Sequence, residues 1–100
     1  MADGDALSVI LPVLNERDNL ELLHERLTDA LEPMGRDWEV IVVDDGSTDG
    51  SWDVLKKLAE ADARVRLVRL RKNFGQTSAL AAGFAHARHP ILITLDADLQ

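Results

Sequence analysis

The chain has 100 residues, enough for one small domain, and 46% of them are hydrophobic, a proportion typical of globular proteins. It contains no cysteine, which excludes a disulfide scaffold, a thiolate zinc site and a cysteine nucleophile. Its formal net charge of −7 argues against a protein that coats nucleic acid, because duplex binding needs a basic face.

Four apolar segments, each followed by a polar loop, predict four β-strands. They comprise residues 7–11, 39–43, 65–70 and 91–95, and they follow a polar tail at residues 1–5. Helical spacing predicts three connecting helices: one has leucines at 20, 23, 27 and 31, and the others are expected over 51–61 and 76–87. In the last of these, small side chains and Gly83 indicate close packing on the sheet. Strands that alternate with helices imply an α/β fold with a mostly parallel sheet.

In open parallel sheets ligands bind beyond the carboxyl ends of the strands, and all four loops expected there are polar. Asp96 and Asp98 directly follow the last apolar segment, where two carboxylates would repel each other unless a cation or hydrogen-bond donors met them. Mg²⁺ or Mn²⁺ fits this pattern, because these hard cations take carboxylate, water and phosphate oxygens, and Gln100 could add a neutral oxygen. The alternative is a pair of aspartates that cap the next turn.

The loop after the second segment contains Asp44, Asp45 and Gly46. A carboxylate at a strand end can accept hydrogen bonds from ribose hydroxyls or from a base N–H, and Gly46 permits a turn with positive φ. A turn followed by a helix cap from residues 47–49 would explain the same sequence. Both interpretations stay open on these residues alone.

Two further polar segments allow more than one interpretation. Asn15 and Glu16, after the first segment, are either a capping pair or ligand contacts. Residues 63–88 contain six bases and no acid. Their cluster either meets a phosphorylated ligand, with the turn at 73–75 facing a diphosphate, or keeps an exposed strand edge soluble. The clustered residues are Arg64, Arg66, Arg69, Arg71 and Lys72.

The stretches LSVILPVLNE, EVIVVDDGSTDGS, RLRKNFGQTSALAAGF and ITLDADLQ occur in an order and spacing that resemble the GT-A glycosyltransferases of family 2. The third stretch and the closing Asp-Ala-Asp-Leu-Gln are most similar to the polyprenyl-phosphate branch of that family. The resemblance covers residues 7–100 and implies a three-layer, Rossmann-like nucleotide-sugar-binding half with about four strands and helices on both faces. Residues 6–100 are then expected to be the N-terminal part of a longer domain, truncated after the Asp-x-Asp motif and inactive alone.

The resemblance also implies a reaction, namely inverting, metal-dependent transfer of a sugar from a UDP-sugar or GDP-sugar to a polyprenyl (undecaprenyl or dolichyl) phosphate. Carried over by position, Asp96 and Asp98 are the catalytic residues, and with Gln100 they bind Mg²⁺ or Mn²⁺. Asp45 would contact the base. The full set of nucleotide-sugar-binding residues implied in this way is Pro12, Leu14, Asn15, Glu16, Asp44, Asp45, Asn73, Gly75 and Asp96.

The same resemblance implies a cytoplasmic protein at the inner face of the membrane, with a lipid-phosphate acceptor, no nucleic-acid partner, and membrane contact through regions that this chain lacks. Two departures from the family pattern stand out. Leu14 replaces the usual aromatic residue, and Arg88-His89-Pro90 replaces the common Gly-Asp before the fourth strand, which is expected to be a surface change.

Other functions fit the residues less well. A family 2 glycosyltransferase with a saccharide acceptor is the main alternative. In a haloacid-dehalogenase-like phosphatase Asp96 would be the nucleophile and Asp98 the acid, but that motif usually lies near the start of a chain. A dinucleotide-binding domain needs glycines after the first strand, and residues 12–16 have none. A receiver-like module would have its acidic pair after the first strand and not the second.

Overall fold

The fold is built on one parallel sheet, and the computed structural model describes it over residues 6–95. The strands are β1 (Leu7–Val13), β2 (Trp38–Asp44), β3 (Val65–Arg69) and β4 (Ile91–Thr94), in the order β3-β2-β1-β4 with all neighbours parallel. The connecting helices are α1 (Leu20–Leu31), α2 (Ser51–Ala61) and α3 (Gln76–His86), and short 3-10 helices at Arg17–Asn19 and Glu32–Met34 flank α1. The predicted α/β fold is confirmed.

Strand β1 continues two residues beyond its predicted end and includes Pro12. In a parallel strand the backbone groups of successive residues face the two neighbouring strands alternately. The Val13 carbonyl accepts from the Asp45 N–H of the β2 side, whereas the Ile10 carbonyl accepts from the Leu95 N–H of the β4 side. Pro12 therefore has its nitrogen on the β4 side, and its missing N–H removes no hydrogen bond between β1 and β2.

Helices cover both faces of the sheet. On one face, the predicted leucine stripe of α1 and Leu55 of α2 pack against alternate residues of the two central strands. The buried strand residues on that face are Leu7, Val9, Leu11, Val13, Trp38, Val40, Val42 and Val65. On the opposite face, Ala79 of α3 packs against Ile10, Ile41 and Val43. The result is the three-layer arrangement that the family resemblance implies.

Helix α3 lies close to the sheet because Gly83 has no side chain. A Cβ atom at this position would lie 2.3 Å from Ile10 Cγ2 and 3.4 Å from Val43 Cγ2. The close packing predicted from the alanine-rich sequence is therefore confirmed. It holds the start of α3, and the loop before it, beside the carboxyl ends of the central strands.

A buried carboxylate organises the opposite, amino-terminal edge of the sheet. Glu39 is 2% exposed and accepts hydrogen bonds from the Ser8 hydroxyl at 2.7 Å and from Arg66 Nη1 at 2.9 Å. It also accepts from the backbone N–H of Arg88 at 2.8 Å and from Arg88 Nε at 3.1 Å, while Ser8 Oγ accepts from the His89 N–H at 3.1 Å. In the segment expected to be a surface change, Arg88 and Pro90 are exposed and His89 is half-buried, but Arg88 and His89 also bind the α3–β4 connection to both central strands.

The hydrogen bonds to Glu39 have a consequence for stability. Burial alone would raise the pKa of Glu39, but the bonds from Ser8, Arg66 and Arg88 outweigh burial and lower this pKa from 4.5 to about 2. A carboxyl group with a lower pKa in the folded state stabilises the fold above its unfolded pKa. That contribution is lost as the pH falls towards the folded pKa.

We therefore expect the free energy of unfolding to fall as the pH is lowered from about 4.5 to about 2. The difference between the two pKa values corresponds to a contribution of about 3 kcal/mol at neutral pH. In Glu39→Gln this part of the pH dependence should disappear. Urea unfolding followed by circular dichroism at several pH values measures it, with Glu25→Gln, on the exposed surface of α1, as the control. Parallel pH profiles for the parent and Glu39→Gln would contradict the assignment.

Candidate functional site

The carboxyl ends of all four strands lie along one edge of the sheet, as the parallel topology requires. Three loops leave this edge within the described residues: 14–19 after β1, 45–50 after β2 and 70–75 after β3. The Leu95 N–H still donates to the Ile10 carbonyl at 3.0 Å, so the chain remains paired with β1 just before the predicted Asp-x-Asp motif. Asp96, Asp98 and Gln100 themselves lie outside the described residues.

The first two loops are joined through Asn15. Its backbone N–H donates to Ser47 Oγ at 2.9 Å, and its side-chain Oδ1 accepts from the Thr48 N–H at 2.8 Å. Asn15 has a φ of 55°, a left-handed conformation that asparagine tolerates better than most residues. Its side-chain oxygen is thus used to hold the loop after β2.

A second set of contacts between these loops centres on Asp49. Its carboxylate accepts from the Arg17 N–H at 3.2 Å, from the Ser51 N–H at 3.0 Å and from the Ser51 hydroxyl. Burial would raise the pKa of Asp49, but these hydrogen bonds outweigh it and lower the pKa below 3.8. Asp49 therefore binds the N–H of Ser51, the first residue of α2, but the residue at the N-cap position is Gly50 and not one of the predicted caps at residues 47–49.

Glu16 belongs to the same junction. Its backbone N–H donates to Ser51 Oγ at 3.2 Å, and its carboxylate accepts from Asn19 Nδ2 at 2.8 Å. Neither Asn15 nor Glu16 caps the following 3-10 helix with its side chain, so the interpretation as a capping pair is wrong. The sequence did not predict Ser47, Asp49 and Ser51 as links between loops. Their hydroxyl and carboxyl groups are evident in the sequence, but there they indicated only a helix cap.

Asp44 and Asp45 are both buried at the end of β2, with 0% and 4% exposure. Asp44 Oδ1 accepts from the Ser47 N–H at 2.9 Å, whereas its Oδ2 has no hydrogen-bond partner within residues 6–95. Asp45 accepts from two N–H groups of the third loop, Phe74 at 2.9 Å and Gly75 at 3.0 Å. A carboxylate offers about four acceptor positions, so each group retains unused ones, although Asp44 Oδ2 is enclosed by the protein in this structure.

Gly46 allows the second and third loops to touch. Its φ is +85°, and a Cβ atom here would lie 2.6 Å from the backbone nitrogen of Asn73. The predicted turn with positive φ is therefore confirmed. The third loop is closed further by Asn73, whose Oδ1 accepts from the Gly75 N–H at 3.0 Å. Gly75, with a φ of +99°, precedes the first residue of α3.

The remaining predicted residues border this cluster. Pro12 is partly buried within β1, next to Val43 in register, and Leu14 is 40% exposed directly after β1. The structure therefore brings eight of the predicted residues to one edge of the sheet. They are Pro12, Leu14, Asn15, Glu16, Asp44, Asp45, Asn73 and Gly75.

Two kinds of feature are absent from the described residues. Between residues 6 and 95, no group of three or more metal-binding side chains is close enough together to hold a metal ion. In the same part of the chain, no helix combines the length and apolar character needed to cross a bilayer.

Comparison with known proteins identifies similar chains. A sequence model described as glycosyl transferase family 2 matches residues 8–100. The undecaprenyl-phosphate 4-deoxy-4-formamido-L-arabinose transferases of Salmonella paratyphi B and Salmonella typhimurium are 44% identical over 95 residues. These alignments cover 94% of this chain and 29% of each relative, so the chain spans less than a third of the relatives' length.

Solved structures show the same similarity. The mannosyltransferase PcManGT from Pyrobaculum calidifontis, in complex with GDP-Man and Mn²⁺, has a TM-score of 0.82 and 31% identity over 92% of this chain and 27% of its own. S. aureus TarS 1–349 in complex with UDP-GlcNAc has a TM-score of 0.80 and 26% identity over 93% of this chain and 26% of its own. Both neighbours bind nucleotide sugars.

The contact at Gly46 gives a prediction for the second and third loops. Gly46→Ala should lower the free energy of unfolding by about 2–5 kcal/mol, since it adds both backbone strain and a clash with Asn73. Gly35→Ala is the matched control: Gly35 has a φ of +66°, but nothing lies within 4 Å of its Cβ position. Gly35→Ala should therefore lower the free energy of unfolding by only about 1–2 kcal/mol. Urea unfolding measures both, and equal losses would contradict the close approach of the loops.

Proposed function

This chain belongs to glycosyl transferase family 2, and we propose that its carboxyl edge binds the nucleotide of a UDP-sugar or GDP-sugar. The protein then supplies the donor half of an inverting transfer to a polyprenyl phosphate. The nucleotide complexes of two structural neighbours support the donor class, and the names of the relatives support the acceptor class.

The observation that carries the donor proposal is the unpartnered Oδ2 atom of Asp44. A buried carboxylate oxygen without a donor raises the free energy of the free protein, and a donor from a ligand removes that penalty once the residues that cover this oxygen move aside. Asp45, beside it, has both oxygens engaged by the third loop but retains acceptor positions. We assign the two aspartates to the N–H and O–H donors of the base and ribose, with Asp45 on the base.

The other residues at the edge shape the site around these carboxylates. Pro12 and Leu14 supply apolar surface at the end of β1, where Leu14 offers contact but no aromatic ring for stacking. Asn15 and Glu16 border the nucleotide from the first loop, while their contacts with Ser47 and Ser51 keep that loop in place. Asn73 and Gly75 face the nucleotide from the third loop, which Asp45 anchors.

The proposed metal ligands are Asp96, Asp98 and Gln100. Their chemistry fits Mg²⁺ or Mn²⁺, because two carboxylates and one amide carbonyl are the hard oxygen donors that such cations prefer. A bound divalent cation stabilises the negative charge of a departing nucleoside diphosphate. The acceptor phosphate is already ionised near neutral pH, so we assign no residue as a general base.

The acceptor class places the reaction at a membrane. A polyprenyl phosphate keeps its chain in the bilayer, and its phosphate stays at the level of the lipid headgroups. We therefore propose that the protein acts at the cytoplasmic, inner face of the membrane. The carboxyl edge of the sheet must then lie within reach of the headgroups for the donor sugar to meet the acceptor.

Asp44→Asn tests the donor site. It should weaken the binding of UDP or GDP by about 1–3 kcal/mol, because an amide group replaces the free acceptor. The variant keeps Oδ1 for the Ser47 N–H but puts two buried N–H donors in the place of Oδ2, so the free energy of unfolding should fall by no more than about 1–3 kcal/mol. Titration calorimetry with Mn²⁺ present measures the affinities, and Asp37→Asn, an exposed change at the amino edge, is the control. Unchanged nucleotide affinity in Asp44→Asn would remove the proposed role.

Asp98→Asn tests the metal site. The parent should bind the nucleotide more tightly with Mn²⁺ than with a chelator, and the variant should lose about tenfold or more in Mn²⁺ affinity. Asp5→Asn is a close control, because Asp3-Gly4-Asp5 is the second Asp-x-Asp pattern in the chain and lies in the predicted tail. Electron paramagnetic resonance of Mn²⁺ measures binding without any transfer reaction. Equal Mn²⁺ affinities for the two variants would contradict the assignment.

A further inference from the structure

The basic cluster of residues 64–72 divides into two groups with different partners. At the amino edge, Arg64 pairs with Glu32 and Asp62, and Arg66 pairs with Glu39 at 2.9 Å. At the carboxyl edge, Arg69, Arg71 and Lys72 have no carboxylate within 4.0 Å in the part of the chain that the structure describes. The three form a positively charged group on the edge that carries the donor site, and together with Phe74 we call them the cationic edge.

Contacts with aromatic rings define the geometry of the cationic edge. The Arg69 guanidinium lies 4.9 Å from the centre of the Trp52 ring, and Lys72 Nζ lies 5.3 Å from that of Phe74. Phe74 is 53% exposed, the largest exposure among the big apolar side chains within residues 6–95. Arg69 and Arg71 also line an open groove of about 430 Å³ with Gly46, Ser47, Thr48 and Leu70.

The charge of the rest of the chain makes this edge distinctive. The net charge is −7, and residues 63–88 contain six bases and no acid, so the acids belong to the other segments. Asp44 and Asp45 lie on the same edge as these bases, but both are buried. An anionic surface repels most faces of such a protein and attracts this one. The three cations of the cationic edge are spread over an open surface, together with the exposed side chain of Phe74. This arrangement suits a layer of lipid headgroups better than one enclosed phosphate.

We propose that the cationic edge docks on the surface of a bilayer that contains anionic phospholipids and turns the donor site towards the headgroups. The proposal rests on the proposed function for the choice of a membrane as partner. Arg69, Arg71 and Lys72 attract the lipid phosphates, and Phe74 enters the boundary between headgroups and acyl chains. The acceptor phosphate then reaches the carboxyl edge without leaving the plane of the headgroups.

Vesicle flotation with the full chain tests this docking. The protein should bind vesicles of phosphatidylglycerol and phosphatidylcholine, should not bind phosphatidylcholine alone, and should dissociate as the salt concentration rises. Each cation near an anionic surface contributes about fivefold to affinity, so Arg69→Gln/Arg71→Gln should bind about 25-fold more weakly. Phe74→Ser should also weaken binding, although it leaves the net charge unchanged.

A second double variant separates the position of the charges from their number. Arg26→Gln/Lys57→Gln removes two exposed cations from α1 and α2 and therefore has the same net charge as Arg69→Gln/Arg71→Gln. It should retain vesicle affinity within about twofold of the parent, as expected when the removed charges lie away from the surface. Equal losses in the two double variants, or equal binding to neutral vesicles, would overturn the proposal.

Nucleotide affinity distinguishes this proposal from the proposed function. If Arg69→Gln/Arg71→Gln loses vesicle binding but keeps the parental affinity for UDP or GDP, the cationic edge serves the lipid surface as proposed. If it loses both, these arginines belong to the donor site and the docking proposal is wrong. Vesicle binding by a parent that binds neither nucleotide would support the docking surface while contradicting the donor site.

Discussion

The end of strand β2 determines how the whole carboxyl edge is arranged. Asp44 and Asp45 are adjacent in sequence, but they bind the backbones of two different loops. Asp44 accepts from the Ser47 N–H of the loop that follows β2, and Asp45 accepts from Phe74 and Gly75 in the loop that follows β3. Gly46 lets those loops meet without a side chain between them. Two neighbouring carboxylates and one glycine thus hold the loops on both sides of the candidate site.

The opposite edge is held by one carboxylate in a comparable way. Glu39 joins β2 to Ser8 of β1, to Arg66 of β3 and to Arg88 before β4, so a single side chain links three strands and the connection that precedes the fourth. Its position also explains the division of the basic residues. Arg66 neutralises Glu39 at the amino edge, while the cations beyond β3 meet no acid in the described chain. The sheet therefore separates a paired, structural set of charges from a set that is unpaired within residues 6–95 and lies beside the proposed donor site.

The sequence predicted those features that depend on local pattern and missed those that depend on distant contacts. The leucine stripe of α1, the bounds of α2 and the close packing at Gly83 all follow from spacing and side-chain size. The extension of β1 through Pro12 could not be predicted in this way, because it depends on which neighbouring strand the proline nitrogen faces. The burial of Glu39 was equally hidden, since its partners Ser8 and Arg88 lie 31 and 49 residues away. The parallel topology predicted that the loops would lie at one edge of the sheet. Which N–H group donates to which oxygen depends on the loop conformations, and the sequence pattern does not predict these.

The structural and the proposed functional roles of the aspartates support each other physically. A loop anchored on a buried carboxylate is already ordered before a ligand arrives, so binding costs less conformational entropy. The anchoring uses one acceptor position of Asp44 and two of Asp45, which leaves others for donors from a nucleotide. Among the buried side-chain nitrogen and oxygen atoms of residues 6–95, Asp44 Oδ2 is the one that lacks a hydrogen-bond partner. A ligand N–H or O–H that reached this atom would gain a hydrogen bond and remove the penalty of leaving it unpaired, which supports the proposal that a nucleotide is recognised at the end of β2.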